Sequence, residues 1–126
     1  MANSLASWRT SATVAPRATA IARATSVARH YGIRHLIPVG PKDAGLEAAR
    51  DATAGDLYGV VVDATGNRHS MSNALQFVAP TGTLVYVGIT QEEIAFKHPA
   101  LHRPEISLRA SRNALPADFP AIIEVV

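Results

Sequence analysis

Two glycines stand where apolar runs end, and glycine at such a position lets a ligand approach the backbone closely. The run Val60–Val62 is closed by Asp63–Gly66, and the run Leu84–Val87 is closed by Gly88. Because ligands of open α/β sheets bind outside the carboxyl ends of the strands, both glycines are candidate binding positions. They are also compatible with plain turns, in which glycine is common.

A second set of residues could bind a metal ion. His98 and His102 are four residues apart and Glu105 follows, a combination that can ligate zinc. However, Pro99 and Pro104 interrupt a regular helix, and the glutamate that a zinc protease places after its first histidine is absent. We therefore interpret these histidines as surface or turn residues, and we predict no metal site and no catalytic residue in this chain.

The elements that position these residues follow from hydrophobic patterning. The two apolar runs predict buried parallel strands, and the segment between Gly66 and Pro80 has the helical spacing that a parallel crossover requires. Pro80–Gly82 is predicted to form a turn before the second strand. Weaker patterns predict strands at Ile33–Val39, Ile94–Phe96 and Glu105–Arg112, and helices at Ala18–His30, Lys42–Ala54 and Leu115–Val126.

Composition limits the protein class. The chain has 126 residues, 48% of them hydrophobic, which is enough for the core of one ordinary domain. The absence of cysteine excludes disulfides, thiolate zinc sites and a cysteine nucleophile. No apolar run reaches the roughly 18 residues that a membrane span needs. A net charge of +2 is too small to indicate nucleic acid, so we predict neither a membrane nor a nucleic-acid partner.

Charge is distributed unevenly along the chain. Residues 1–42 carry six basic residues and no acid, whereas all ten acids lie in residues 43–126. Such asymmetry suggests a tail joined to a domain, and we place the boundary between residues 1–30, a poorly specified basic leader, and residues 31–126. The Arg- and Ser-rich leader is also the composition of an organelle transit peptide. We predict a cytoplasmic location, with organelle targeting as the alternative.

Three motifs, in this order and spacing, resemble the cofactor domain of the zinc-type medium-chain alcohol and polyol dehydrogenases, the sorbitol and threonine dehydrogenase group. They are D-A-T-G-N at residues 63–67, P-T-G before L-V-Y-V-G at residues 80–88, and E-I-S-L-x-x-S-R-N at residues 105–113. The likeness runs from about Gly32 to Val126. It implies a doubly wound α/β (Rossmann) fold with strand order 3-2-1-4-5-6. Strands three to six then map to Ile33–Val39, Val60–Ala64, Leu84–Val87 and Ile106–Arg109.

The resemblance also implies a nicotinamide dinucleotide, NAD or NADP, as cofactor. In the family, the loop after the fourth strand lies along the dinucleotide, which maps to Ala64, Thr65 and Gly66. Backbone groups after the fifth strand hold the nicotinamide carboxamide, which maps to Val87, Gly88 and Ile89. Residues after the sixth strand meet the pyrophosphate, which maps to Ser111, Arg112 and Asn113. An arginine offers donors suited to phosphate oxygens, although Arg112 could also be a solvated surface residue.

The chain also departs from the family pattern. Residues 1–30 contain neither the Gly-rich turn nor the acid that binds the ribose, and no part of the chain corresponds to the catalytic domain with its zinc ligands. We therefore expect a partial Rossmann domain that lacks the first βαβ unit. The parent reaction is hydride transfer between an alcohol and the nicotinamide. By itself this piece is expected to be inactive, with weak or no cofactor binding, and zinc belongs to the parent family only.

A partial sheet of this kind exposes a strand edge. We expect Val60–Val62 to lack a partner on one side, which favours self-association or marginal stability; a sharp, reversible unfolding transition of a monomer would contradict this. One alternative function is therefore a non-enzymatic interaction module that pairs with a full-length relative, with Ile94–Phe96 as a candidate pairing strand. Another is a cofactor-binding accessory domain that a separate chain completes.

Overall fold

The structure, a computed structural model, describes residues 11–12, 25–33, 35–37 and 44–125. The chain divides into two compact units, Met1–Tyr58 and Gly59–Val126. Strands and helices alternate along both units, which confirms the predicted α/β class. Among the described residues, no helix combines the length and apolarity needed to cross a membrane.

Within its described residues, the first unit contains two short strands. Strand β1 (Ser11–Ala12) pairs in parallel with strand β2 (His35–Leu36), and Ser11 lies opposite His35. The sequence analysis predicted no strand near Ser11. Of the predicted strand Ile33–Val39, residues 35–36 form β2, whereas residues 34, 38 and 39 lie outside the described residues.

Two helices accompany these strands. Helix α1 is described at residues 25–30 and helix α2 at Ala44–Ala52. The predicted end of α1 at His30 is confirmed, and Gly32 follows with a φ of +74° and an N–H that donates to the carbonyl of Arg29 at 3.0 Å. The N–H of Ile33 donates to the carbonyl of Ala28 at 3.0 Å. This pair of bonds is the Schellman arrangement, in which a left-handed glycine satisfies the last carbonyls of a helix.

The second unit is built on a three-stranded sheet in the order β3-β4-β5. Its strands are β3 (Tyr58–Asp63), β4 (Val78–Tyr86) and β5 (Ser107–Ala110). Strands β4 and β5 are parallel, with Thr83 opposite Ser107 and Tyr86 opposite Ala110. Strands β3 and β4 also run in parallel, since Gly82 lies against Gly59 at one end and Asp63 bonds to Val87 at the other.

The crossover between β3 and β4 is shorter than predicted. Helix α3 (Arg68–Asn73) is followed directly by a 3₁₀ turn (Ala74–Phe77). The side chain of Asn67 caps α3 by accepting from the N–H groups of His69 and Ser70. The crossover covers the sheet with one apolar core, formed by Ala74, Leu75, Val78, Leu84 and Ile106 together with the half-buried Val61, Tyr86 and Leu101.

The prediction of a turn at Pro80–Gly82 was wrong, because β4 runs through these residues. Thr81 adopts a left-handed φ of +62° and its N–H donates to the carbonyl of Pro104 at 2.7 Å. Gly82 then passes directly against the backbone of β3. Pro-Thr-Gly therefore bends the strand locally instead of ending it, as glycines within strands often do.

Two further predictions need correction. The segment Ile94–Phe96 is not a strand, and the N–H of Ala95 donates instead to the Ser72 hydroxyl at 3.2 Å. The histidines His98 and His102 lie on a one-turn helix, α4 (His98–His102), although we had expected the prolines to prevent one. Pro99 is tolerated because it falls in the first turn, where its missing N–H is not needed.

The last helix, α5 (Asp118–Val125), begins three residues later than the predicted range Leu115–Val126. A carboxylate oxygen of Asp118 accepts from the N–H of Leu115 at 2.7 Å. The apolar residues Phe119, Ile122 and Ile123 are predominantly exposed. Strand β3 lies at one edge of its sheet. Among the described residues it has a strand neighbour on one side only, and Val62 is 58% exposed.

We predict that Gly82→Ala destabilises the protein by about 2 kcal/mol through steric overlap. A Cβ at Gly82 would lie 2.8 Å from the carbonyl oxygen of Ala79 and 2.9 Å from that of Gly59, and backbone oxygens cannot turn away. Urea unfolding of the 126-residue chain measures the change.

Gly59→Ala is the matched control, because a Cβ there meets nothing within 4 Å. Its free energy of unfolding should change by no more than about 0.5 kcal/mol. Equal losses for the two variants would contradict the close approach of β4 to β3.

We predict a pH-dependent contribution from Tyr86, whose hydroxyl donates to the carbonyl of Met71 at 2.7 Å. Burial, followed by the nearby Asp63 carboxylate, raises the pKa of Tyr86 above its ordinary value of 10.0. Folding therefore favours the neutral phenol: the stabilisation is complete below the unfolded pKa and is lost as the pH rises through the raised folded pKa. Tyr86→Phe should cost about 1 kcal/mol at neutral pH.

The difference in unfolding free energy between wild type and Tyr86→Phe should shrink as the pH rises beyond about 10. Urea unfolding of both proteins across this pH range measures it. Tyr31→Phe, at a side chain that is 75% exposed, should behave as wild type. A difference for Tyr86→Phe that stays constant with pH would refute the prediction.

Candidate functional site

The candidate site lies at the carboxyl end of the parallel sheet in the second unit. The main-chain oxygen of Asp63, the last residue of β3, accepts from the N–H of Val87 at 2.8 Å and from that of Gly88 at 3.0 Å. These bonds continue the pairing of β3 and β4 beyond the end of β4. The segments that leave the two strands are therefore adjacent.

Two of the three predicted segments, Ala64–Gly66 and Val87–Ile89, are in backbone contact. Gly66 has a left-handed φ of +62°, and a Cβ there would lie 2.8 Å from the carbonyl oxygen of Ile89. A Cβ at Gly88 would collide with the backbone nitrogen of Gly66 and would lie 3.0 Å from the Ala64 carbonyl carbon. Both glycines are thus required for this close approach, and neither serves only to make a turn.

The third predicted segment, Ser111–Asn113, follows β5. The N–H of Ser111 donates to the carbonyl of Tyr86 at 2.9 Å, which brings Ser111 beside the start of the Val87–Ile89 segment. Arg112 and Asn113 are exposed, and Asn113 has a left-handed φ of +63°. Within the described part of the chain, no carboxylate forms a salt bridge with Arg112.

The sequence analysis missed the residue that organises these segments. Asp63 is 5% exposed, and its Oδ1 accepts from both the N–H of Thr65 at 2.9 Å and the Thr65 hydroxyl at 2.8 Å. Its Oδ2 accepts from the Ser70 hydroxyl at 2.7 Å. The spacing Asp-x-Thr could have indicated this arrangement, since aspartate commonly bonds to the backbone two residues onward.

The outer side of these segments is accessible and partly apolar. Ile89 is 83% exposed, and Val87 is also exposed. Thr65 is exposed as well, so the two contacting segments present backbone and apolar atoms outward. A flat ring with a polar amide could lie on such a surface.

A cavity elsewhere in the described residues holds none of the predicted site residues. It lies in the first unit, measures about 370 Å³, and is lined by Arg29, His35 and apolar side chains that include Leu36 and Ala48. We give more weight to the sheet edge, because backbone contacts connect the predicted segments there.

The two groups that the family resemblance implies fit this chain differently. No cluster of three or more His, Cys, Asp or Glu suited to a metal occurs in the described ranges, so these residues do not fit a bound zinc. A nicotinamide dinucleotide fits better, since the Gly66–Gly88 contact keeps both segments free of side chains where they meet. Ala64–Gly66 and Val87–Ile89 could lie along the ligand, with Arg112 available to a phosphate.

Known proteins are similar to this chain in sequence and in fold. The chain matches the family model described as zinc-binding dehydrogenase over residues 12–126. It is 41% identical over 68 residues to L-galactonate-5-dehydrogenase of Escherichia coli (strain K12), a match that covers 54% of this chain and 20% of that protein. The matched part of the chain therefore corresponds to about a fifth of the length of this relative.

Solved structures share the fold at low sequence identity. An alcohol dehydrogenase of the archaeon Aeropyrum pernix superposes with a TM-score of 0.75 at 15% identity, covering 93% of this chain and 32% of that protein. A protein described as an NAD-dependent alcohol dehydrogenase superposes with a TM-score of 0.71 at 20% identity. The superposition covers 92% of this chain and 32% of that protein. Together with the family match, which spans most of the chain, these results show that the protein belongs to the zinc-binding dehydrogenase family.

Proposed function

We propose that these 126 residues supply the nicotinamide side of the NAD(P) site of an alcohol or polyol oxidoreductase and do not catalyse hydride transfer by themselves. The observation that carries this proposal is the backbone contact between Gly66 and Gly88 at the carboxyl edge of parallel strands. This is where ligands of doubly wound sheets bind. The relative named for a dehydrogenation of L-galactonate supports a polyol as the parent substrate class.

Each predicted segment has a separate role in this proposal. Ala64–Gly66 lies along the dinucleotide, and backbone groups of Val87–Ile89 hold the carboxamide of the nicotinamide. Ser111–Asn113 meets the pyrophosphate, where the guanidinium of Arg112 can donate two hydrogen bonds to phosphate oxygens. The parent reaction moves a hydride between the alcohol carbon and the nicotinamide ring. At this edge the Asp63 carboxylate already accepts from Thr65 and Ser70, and the Tyr86 hydroxyl already donates to the Met71 carbonyl, so we assign proton transfer to neither group.

We predict that NADH shifts the amide resonances of Thr65, Gly66, Gly88 and Ile89 in nuclear magnetic resonance spectra of the chain, with millimolar affinity. Reduced nicotinamide mononucleotide should shift the same amides, and adenosine monophosphate should shift none of them. The nicotinamide half is sufficient because the contacts are assigned to that side. Absence of shifts at these amides would refute the proposed site, and turnover of a polyol with NAD would refute the proposed lack of catalysis.

Arg112→Gln should weaken NADH binding about tenfold, as expected for the loss of hydrogen bonds to a charged group. Arg103→Gln is the matched control, because Arg103 is also exposed but follows α4 and lies outside the three segments. Equal affinities for these two variants would remove Arg112 from the site.

A second candidate function is pairing with a full-length relative or a second copy through β3. The observation that favours it is the position of β3 at the end of its sheet, with Val60 and Val62 about half exposed. An apolar edge strand offers unpaired backbone groups to another strand. In this case the chain contributes an interface and no chemistry.

We predict that Val62→Lys reduces self-association of the chain, because a charged residue on an edge strand opposes strand addition. Sedimentation velocity measures the distribution of species. Val27→Lys is the matched control, since Val27 is 52% exposed but lies on helix α1. A wild-type chain that remains monomeric at every accessible concentration would exclude pairing between copies.

A further inference from the structure

We propose that Asp63 is the positioning residue of this site, and that its carboxylate and main-chain oxygen together fix the Ala64–Gly66 segment against Val87–Ile89. The inference rests on the proposed function, because it assigns a role inside the proposed cofactor site. Asp63 itself is buried beneath these segments and does not contact the ligand. It acts through Thr65, Val87 and Gly88.

The carboxylate holds the first segment at two points. Oδ1 of Asp63 accepts from the N–H and the hydroxyl of Thr65, so both the backbone and the side chain of that residue are fixed. The Thr65 hydroxyl in turn accepts from the N–H of Asn67 at 3.1 Å. Asn67 caps α3, and the chain of bonds therefore runs from the end of β3 to the start of the crossover helix.

The other carboxylate oxygen connects the same aspartate to the body of helix α3. Oδ2 accepts from the Ser70 hydroxyl at 2.7 Å. At the next residue, the Met71 carbonyl accepts from the Tyr86 hydroxyl at 2.7 Å, which joins the helix to β4. The loop between Asp63 and Arg68 is therefore held by hydrogen bonds to the end of β3, and helix α3, which follows it, is bonded to both Asp63 and β4.

The main-chain oxygen of Asp63 determines the position of the second segment. It accepts from Val87 and Gly88 at 2.8 and 3.0 Å, and Gly88 then lies against the backbone of Gly66. One residue therefore contacts both segments, through its carboxylate on one side and its carbonyl on the other. A shift of Asp63 would move both segments of the site.

The need for this network follows from the cost of burying charge. A carboxylate that is 5% exposed is tolerated only if hydrogen bonds replace its lost hydration. No salt bridge to Asp63 occurs in the described ranges, so the donors are Thr65 and Ser70. If the loop moved away, the buried carboxylate would lose the two donors of Thr65. The conformation of the loop is therefore coupled to the stability of the unit.

The test measures two quantities separately: the amide exchange of the loop without a ligand, and the affinity of the chain for NADH. Asp63→Ala removes every side-chain acceptor from a buried network, so we pair it with Thr65→Val, a nearly isosteric change at an exposed position. Amide hydrogen exchange, followed by nuclear magnetic resonance, reports on the N–H groups of Thr65 and Asn67. In Thr65→Val both should exchange about tenfold faster, because the valine has no hydroxyl to bond to Asp63 or Asn67.

The affinity for NADH should depend on the conformation of this loop. The Kd for NADH should rise about tenfold in Thr65→Val, and Thr65→Ser, which keeps the hydroxyl, should restore both exchange and affinity. A residue with only a structural role would lower the stability of the chain and leave the affinity of the folded chain for NADH unchanged. Asp63→Ala should reproduce the effects of Thr65→Val or exceed them.

Thr90→Val is the matched control. The Thr90 hydroxyl also accepts from a main-chain N–H two residues onward, that of Glu92 at 3.2 Å, but it is not bonded to Asp63. This variant should leave the exchange of Thr65 and Asn67 at the wild-type rate.

The outcomes separate the inference from the function on which it rests. If NADH shifts no amide in the wild type while Thr65→Val still accelerates exchange, the cofactor proposal fails and the role of Asp63 in fixing the loop stands. If NADH binds but Thr65→Val changes neither exchange nor affinity, the positioning role of Asp63 is overturned and the cofactor site stands.

Discussion

The hydrogen bonds of Asp63 are the interaction on which the rest of the second unit depends. The residue ends β3, and its carbonyl extends the pairing of that strand with β4. Its carboxylate bonds to the loop that follows and to helix α3. Because the charge is buried, these bonds must form together, and the sheet edge, the loop and the crossover helix are coupled through one side chain.

Backbone contact is the second constraint at this edge. Gly66 and Gly88 approach so closely that a Cβ on either would meet main-chain atoms of the other segment. Tight packing without side chains leaves a smooth, partly apolar surface next to main-chain groups. Such a surface suits a planar ring, and in the proposed site the polar contacts come from the backbone and from Arg112, the cation of the predicted segments.

The same sheet leaves apolar area uncovered within the described residues. Strand β3 has one strand neighbour, and helix α5 exposes Phe119, Ile122 and Ile123. Exposed apolar surface of this kind commonly marks a place where another segment or chain packs. The matched part of the chain corresponds to about a fifth of the L-galactonate-5-dehydrogenase relative, and the superposition on the Aeropyrum pernix alcohol dehydrogenase covers about a third of that protein. The proposed nicotinamide site and the proposed interface at β3 both lie on accessible surface of the described residues.

The sequence by itself determined the parallel strand–helix–strand unit and the strand ends that carry the candidate site. β-branched runs and glycines encode these features locally. It did not determine that Pro80–Gly82 would lie within β4 or that Ile94–Phe96 would not form a strand, because both depend on partners distant in sequence: the Pro104 carbonyl and the Ser72 hydroxyl. The role of Asp63 likewise required the tertiary structure, since a buried carboxylate is defined by the donors that folding brings to it.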